Sequence, residues 1–217
     1  MNIPFYPNTG DGTHCWQAAL KMALKVFEPD RDYSYDELDT ISAKLPGKWT
    51  WPTAAMLWLL KRGYDVRLIE ESDYRALADR GEAYILEKCG EEVGRTQIAM
   101  SEMKQEVIFA REFAVTAPLE VRLPTIKDFQ QFLKDGSIII CNINAACLAG
   151  QAGYSGHFVV VCEMGEKDVL LHDPGLPPRP WLTVTRKVFE AALGYPTKHE
   201  KNLLAIKLSA KVPQKAS

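Results

Sequence analysis

The chain has 217 residues, 47% apolar and 25% charged, with 26 basic and 28 acidic side chains and a net charge of −2. This is enough apolar material for a core without disulfide or metal staples, and the balanced charge leaves no footprint for nucleic acid or an anionic membrane. The opening MNIPFYPNTG lacks the basic start and apolar run of a secretory signal, and no stretch is long enough to span a bilayer. Five cysteines (Cys15, Cys89, Cys141, Cys147, Cys162), odd in number and without a CxxC pair, read as reduced thiols of a cytoplasmic protein with no metal site and no cofactor.

In chain order, IPFYPNTGDG is a turn-rich lead-in, and Thr13 is the expected N-cap of a largely buried helix from Cys15 to Phe27 that Pro29 ends. A short amphipathic helix is expected from Tyr35 to Lys44. A third helix, in WTWPTAAMLWLLKRGY, starts near Pro52 and stops at Gly63, and DVRLI (65–69) follows as a strand. Residues 72–117 are charged and helix-favouring, with weak turns at Gly81, Gly90 and Gly94; a lid, a specificity arm and a dimer surface are all open to them. TIKDFQQFLKDG reads as a helix stopped by Gly136.

The second half changes character. SIIICNIN (137–144), FVVVCEM (158–164) and DVLLHD (168–173) are short, apolar and β-branched, as sheet strands are. AACLAGQAGYSG between them reads as a flexible loop, and PGLPPRPW as a stretch that forbids regular structure. TRKVFEAALG is a helix and LLAIKL (203–208) a last strand. Helices first and sheet second predict one α+β domain over 1–217, two packed halves with a charged helical insertion at about 72–117.

Three positions combine into a chemical pattern. Cys15 opens a helix, where the dipole favours a thiolate. His157 opens a buried strand after a glycine-rich loop, and Asp173 closes the next strand before Pro174. A hairpin centred on Gly165 sets Cys162 opposite Asp168, Val161 opposite Val169, Val159 opposite Leu171 and His157 opposite Asp173, within reach of a hydrogen bond. A thiolate nucleophile, an imidazole that protonates the leaving group, and a carboxylate that orients the imidazole make up acyl transfer through a thioester. Cys141 and Cys162 fit plain core packing. His14 reads as a solvent-facing residue of the first turn, with assistance to the Cys15 thiolate as the alternative, His172 as pointing opposite to Asp173, and His199 as a polar-loop residue. Trp181 reads either as a cover over the His–Asp pair or as a core anchor. Gln151, in the loop before His157, is a further candidate contact to substrate.

The order Cys, Gly-His-Phe-Val-Val-Val, Asp-Pro resembles the papain-like cysteine peptidases, and within them the C-thirty-nine-like group. CWQAALKMAL is similar to its nucleophile helix, PTAAMLWLLKRGYDVRLI to its second helix and strand, TIKDFQQFLKDGSIIICNIN to its helix and strand before the histidine, and VTRKVFEAAL with LLAIKL to its closing elements. The resemblance implies a papain-like fold, with an N-terminal helical half whose nucleophile helix packs on a C-terminal antiparallel sheet. It implies a Cys15–His157–Asp173 triad, a peptide or small amide substrate, and no cofactor. The family carries a glutamine oxyanion donor six residues before the cysteine. Thr9 stands there in this chain, and the neighbouring Asn8 is the expected donor. A transpeptidase or acyltransferase fits the same residues, as in phytochelatin synthases, which share the order of the three residues and a proline-rich stretch with Trp. A peptide-binding module that has lost turnover fits Thr9. Metal binding through His14, Cys15, His157 and Asp173 is the least supported reading, for want of a close-spaced ligand pair.

Overall fold

A computed structural model describes residues 1–209. The chain forms α1 (Cys15–Phe27), α2 (Tyr35–Ile41), α3 (Thr53–Lys61), β1 (Tyr64–Glu70), α4 (Tyr74–Arg80), α5 (Glu82–Met100), α6 (Met103–Thr116), β2 (Leu119–Glu120) and α7 (Ile126–Lys134). Then come β3 (Ile138–Asn144), α8 (Ala145–Leu148), β4 (Gly156–Met164), β5 (Asp168–Asp173), β6 (Arg179–Thr185), α9 (Arg186–Leu193), a 3-10 turn (Lys198–Glu200) and β7 (Asn202–Leu208). The fold class is α+β, as the order of patterns predicts.

The division into a helical half and an antiparallel half does not hold. One seven-stranded sheet runs β2-β1-β7-β3-β4-β5-β6. It is mixed, because β2 pairs parallel to β1. β1, from the first half, lies against the last strand, β7. Alternation along the strands explains why the sheet is covered on both sides. Ile138, Ile140, Val160, Leu204 and Ile206 join the core beneath α1, α3 and the 72–117 helices. Ile139, Cys141, Val159, Val161 and Ala205 join the opposite core, which Phe129 of α7 and Phe189 of α9 close.

Local chemistry explains most boundaries. Ser34 with Glu37, and Thr125 with Asp128, form capping boxes that start α2 and α7. Gly81 separates α4 from α5 with φ 53°, and Gly90 kinks α5 with φ 77°. Gly94 makes no turn; a Cβ there would stand 3.0 Å from the Leu86 Cα, so the glycine permits close packing inside the helix. Two strands escape the sequence reading. β2 is only a two-residue bridge, and β6 begins inside the proline-rich stretch, where Arg179 pairs with Asp173.

The His–Asp hairpin is also shifted. Val161 lies opposite Leu171 and Val160 opposite His172, and an irregularity between Val161 and Glu163 absorbs an extra residue at Cys162. Near the site, the pairing is therefore two residues from the expected one. An even shift keeps every side chain on its expected face, whereas an odd one would reverse them.

Besides its apolar packing, the 72–117 segment is tied to α3 by a buried carboxyl. Glu106 of α6 is 7% exposed and accepts a 3.0 Å hydrogen bond from Thr53 Oγ1 at the start of α3. Burial outweighs that single bond and pushes the carboxyl up to about 7. The folded chain therefore keeps the Glu106 proton to a higher pH than the unfolded chain. Its stabilisation is complete below about pH 4.3 and is lost as the pH rises to about 7. Urea unfolding of Glu106→Gln against the wild type is expected to show the wild type losing about 2–3 kcal/mol relative to the variant between pH 4.5 and 7.5. Parallel pH dependence of the two proteins would contradict this assignment.

Candidate active site

The first turn of α1 is built to receive negative charge. Its N-cap is His14 rather than Thr13, and no side chain caps the helix. Thr13 instead donates to Asp11 Oδ2 at 2.9 Å. Cys15, half-buried, is the first helical residue, and its sulfur accepts from the backbone N–H groups of Trp16 and Phe158. Trp16 fixes this turn. It is fully buried, sits edge-on to Phe158 at 5.0 Å and donates to Ser42 Oγ at 3.1 Å.

His157 meets Cys15 from β4. Its Nε2 lies 2.7 Å from Asp173 Oδ1, which leaves Nδ1 for the sulfur. Burial penalises the Cys15 thiolate, but the hydrogen bond and charge of His157 and the two backbone donors outweigh it, so the thiol sits below its usual range. Burial likewise penalises the imidazolium, yet Asp173 and the sulfur push His157 up to about 10. Both shifts favour the thiolate–imidazolium form of the pair.

Asp173 is 2% exposed, and burial works against its charge. His157, the Gly175 N–H at 2.8 Å and Arg179 hold it down at about 2. Arg179 grips Oδ2 through Nε at 2.9 Å and Nη2 at 2.5 Å. Two donors on Oδ2, with His157 and the Gly175 N–H on Oδ1, hold the carboxylate in place, and the guanidinium supplies the charge that lets a buried aspartate stay ionised beside a histidine. Arg179 and Gly175 were not singled out from the sequence. The only signal was an arginine in the stretch read as irregular.

The N-terminal segment is tied alongside. The Asn8 N–H donates to the Pro174 carbonyl at 2.8 Å, and the Asn8 Oδ1 accepts from Thr9 N at 2.9 Å and His14 N at 2.7 Å. Two backbone donors fix which end of the amide is oxygen, so Nδ2 is the end left to donate. Thr9 is occupied elsewhere, with Oγ1 2.6 Å from Asp11 Oδ1.

Other candidates fall away from the pair. His14 points to Asp39, 3.2 Å from Nε2, and is mostly buried rather than solvent-facing. Gln151 is exposed in the turn after α8 and does not line the cavity beside Cys15. Trp181 has φ 55° and packs on His172, ring centres 4.3 Å apart, so it covers that histidine instead of the His157–Asp173 pair. His172 itself is a satisfied core residue on the other face. Its Nε2 donates to the Ile3 carbonyl at 2.9 Å and its Nδ1 accepts from Trp181 N at 3.2 Å. His199 forms an exposed pair with Glu71 at 2.6 Å. Among the described residues no cluster of three or more His, Cys, Asp or Glu is arranged to hold a metal ion. No helix there is long and apolar enough to cross a membrane.

A cavity of about 160 Å³ opens beside Cys15. Its floor is one row of the sheet, Phe158–Asn142–Asn202–Glu70, and α4 and α5 of the insertion form the opposite wall. The strands part where the row crosses from β3 to β7. There the Asn202 amide replaces the backbone ladder, accepting from Asn142 N at 2.8 Å and donating to Asn142 O at 2.7 Å. No protein-family model and no curated protein matches the sequence.

Gly175 is where this geometry is most easily broken. A Cβ there would stand 2.9 Å from Asp173 Oδ1 and 3.4 Å from His157 Nε2. Gly175→Ala is expected to push Asp173 off His157, so that the imidazole titrates at least about one unit lower in an NMR titration. An unchanged His157 titration would contradict the assigned contact.

Proposed function

We propose that the protein is a cysteine peptidase or amide hydrolase on a papain-like scaffold, working through Cys15, His157 and Asp173. The observation that carries this reading is the Cys15–His157 contact at an uncapped helix N-terminus, with both groups shifted toward their charged forms and His157 backed by Asp173. Such a thiolate attacks the carbonyl carbon of a peptide or small amide. The oxyanion that develops faces the Cys15 N–H and the free amide hydrogens of Asn8, in the role the family gives its glutamine. His157 gives its Nδ1 proton to the nitrogen as the carbon–nitrogen bond breaks, and the amine leaves. Water then attacks the thioester. His157 takes its proton, the carbon–sulfur bond breaks, and the acid departs with Cys15 again a thiolate. Asp173 keeps Nε2 protonated throughout and Arg179 keeps Asp173 in place.

A panel of aminoacyl and peptidyl coumarin amides tests the proposal, read by fluorescence and by the mass of the acyl adduct on Cys15. Turnover is expected to vanish in Cys15→Ala and to fall by about 10²–10³ in Asn8→Ala, against a small effect of Thr9→Ala. A larger loss in Thr9→Ala would remove Asn8 from the oxyanion site. Activity surviving in Cys15→Ala would remove the nucleophile.

A further inference from the structure

The cavity beside Cys15 has two unlike ends. Near Cys15 it is apolar and aromatic, with Trp16, Trp51 and Phe158 on its walls. At its far end stand Glu70, Lys88 and Glu200, brought there by β1, α5 and the turn before β7. Lys88 pairs with Glu200 Oε2 at 3.2 Å. Tyr74, from α4, hydrogen-bonds Glu70. Two carboxylates therefore face a single ammonium, and Asp73 adds a third carboxylate at the rim, although its Oδ1 is occupied in capping α4. Glu200 Oε1 is buried and has no hydrogen-bond partner among the described residues. Leaving an acceptor of a buried carboxylate unmet is costly. Burial indeed holds the Glu200 carboxyl above its ordinary range, despite the Lys88 charge.

The dimensions narrow what fits. The row from Phe158 to Asn202 crosses two strand spacings, about 10 Å. Asn202 Nδ2 also donates to the Glu200 carbonyl at 3.1 Å, which ties the Glu200 turn to that end of the row. An extended lysine chain carries its nitrogen about 6 Å from its Cα. With the bond to sulfur at one end and a hydrogen bond at the other, it spans this floor. An α-amine beside the scissile carbonyl falls well short, and a carboxylate would meet a surplus of like charge. The aromatic walls suit both methylenes and a cation.

We propose that this cavity is the specificity pocket for the acyl side of the substrate, and that it takes a lysine-like group: an apolar stem of about four methylenes ending in an ammonium that Glu200 and Glu70 receive. The inference rests on Cys15 being the nucleophile for its link to turnover, and on the cavity alone for binding. It assigns the 72–117 insertion a task, because α4 and α5 supply the wall that closes the pocket.

Binding and turnover separate the two claims. Calorimetry on Cys15→Ala compares Nα-acetyl-lysine amide with the norleucine and glutamate amides, norleucine having a similar stem without the charge. Lysine is expected to bind at least about tenfold tighter than norleucine, and glutamate weakest. In the same background Glu200→Gln should reduce the lysine preference to within about threefold. Lys88→Met, which removes the competing ammonium, should strengthen lysine binding; a merely damaged fold would weaken it. Norleucine binding equal to or tighter than lysine, or no lysine binding at about 10 mM, would overturn the pocket assignment. Coumarin amides of the same residues are then run on the wild type. A binding preference without turnover leaves the pocket standing and removes the nucleophile, whereas equal turnover of the lysyl and norleucyl amides removes the pocket.

Discussion

A buried histidine held between a carboxylate and a thiol sulfur is the constraint on which this structure turns. His157 is 7% exposed, and a cation there is stable only because Asp173 meets one ring nitrogen and the Cys15 sulfur the other. Each partner needs its own support. The sulfur takes backbone N–H groups from a helix start and from β4; the aspartate takes the Gly175 N–H and the Arg179 fork. Removing one member of such a cluster leaves an uncompensated buried charge, so the members are coupled rather than additive.

The fold serves this cluster by bringing distant segments to one corner of a sheet. α1 contributes the thiol, β4 and β5 the His–Asp pair, and the start of β6 the arginine. The N-terminal strip is fastened at both ends, by His172 on the Ile3 carbonyl and by Pro174 on the Asn8 N–H. His172 thus acts at a distance: it anchors the strip that carries Asn8 to the helix entrance. The insertion completes the corner from the other side. It contributes none of the Cys–His–Asp cluster, but its helices enclose the cavity that Cys15 lines.

The three side chains of the cluster are legible because each stands at an element boundary with a distinctive neighbour: a threonine-histidine helix start, a Gly-His strand start and an Asp-Pro strand end. Their supports are not. β6 was hidden because three prolines precede it, yet Pro180 sits at its second residue, on the outermost strand of the sheet, where no further strand needs its N–H. With that strand went Arg179 and the left-handed backbone of Trp181, which turns its ring to His172. The irregularity at Cys162 has no signature in VVVCEM, so the pairing was displaced by two while the faces came out correctly. The 72–117 segment is readable as helical from its composition, but not its position, which rests on long-range contacts such as the Thr53–Glu106 hydrogen bond and the packing of Leu77, Ile85 and Phe113 into the main core.

The proposed chemistry requires Cys15 to be a thiolate held by His157. The direct measurement is the rate of iodoacetamide labelling of each cysteine against pH, read by mass spectrometry, in the wild type and in His157→Ala. The account predicts that Cys15 labels well below the ordinary thiol range, near 8.5, and that His157→Ala moves its midpoint upward. Cys89, pushed up to about 11, and Cys162, pushed up to about 12, should stay slow at neutral pH. A Cys15 that labels no faster than Cys89 near pH 6, with no change in His157→Ala, would contradict the ion pair and the chemistry built on it.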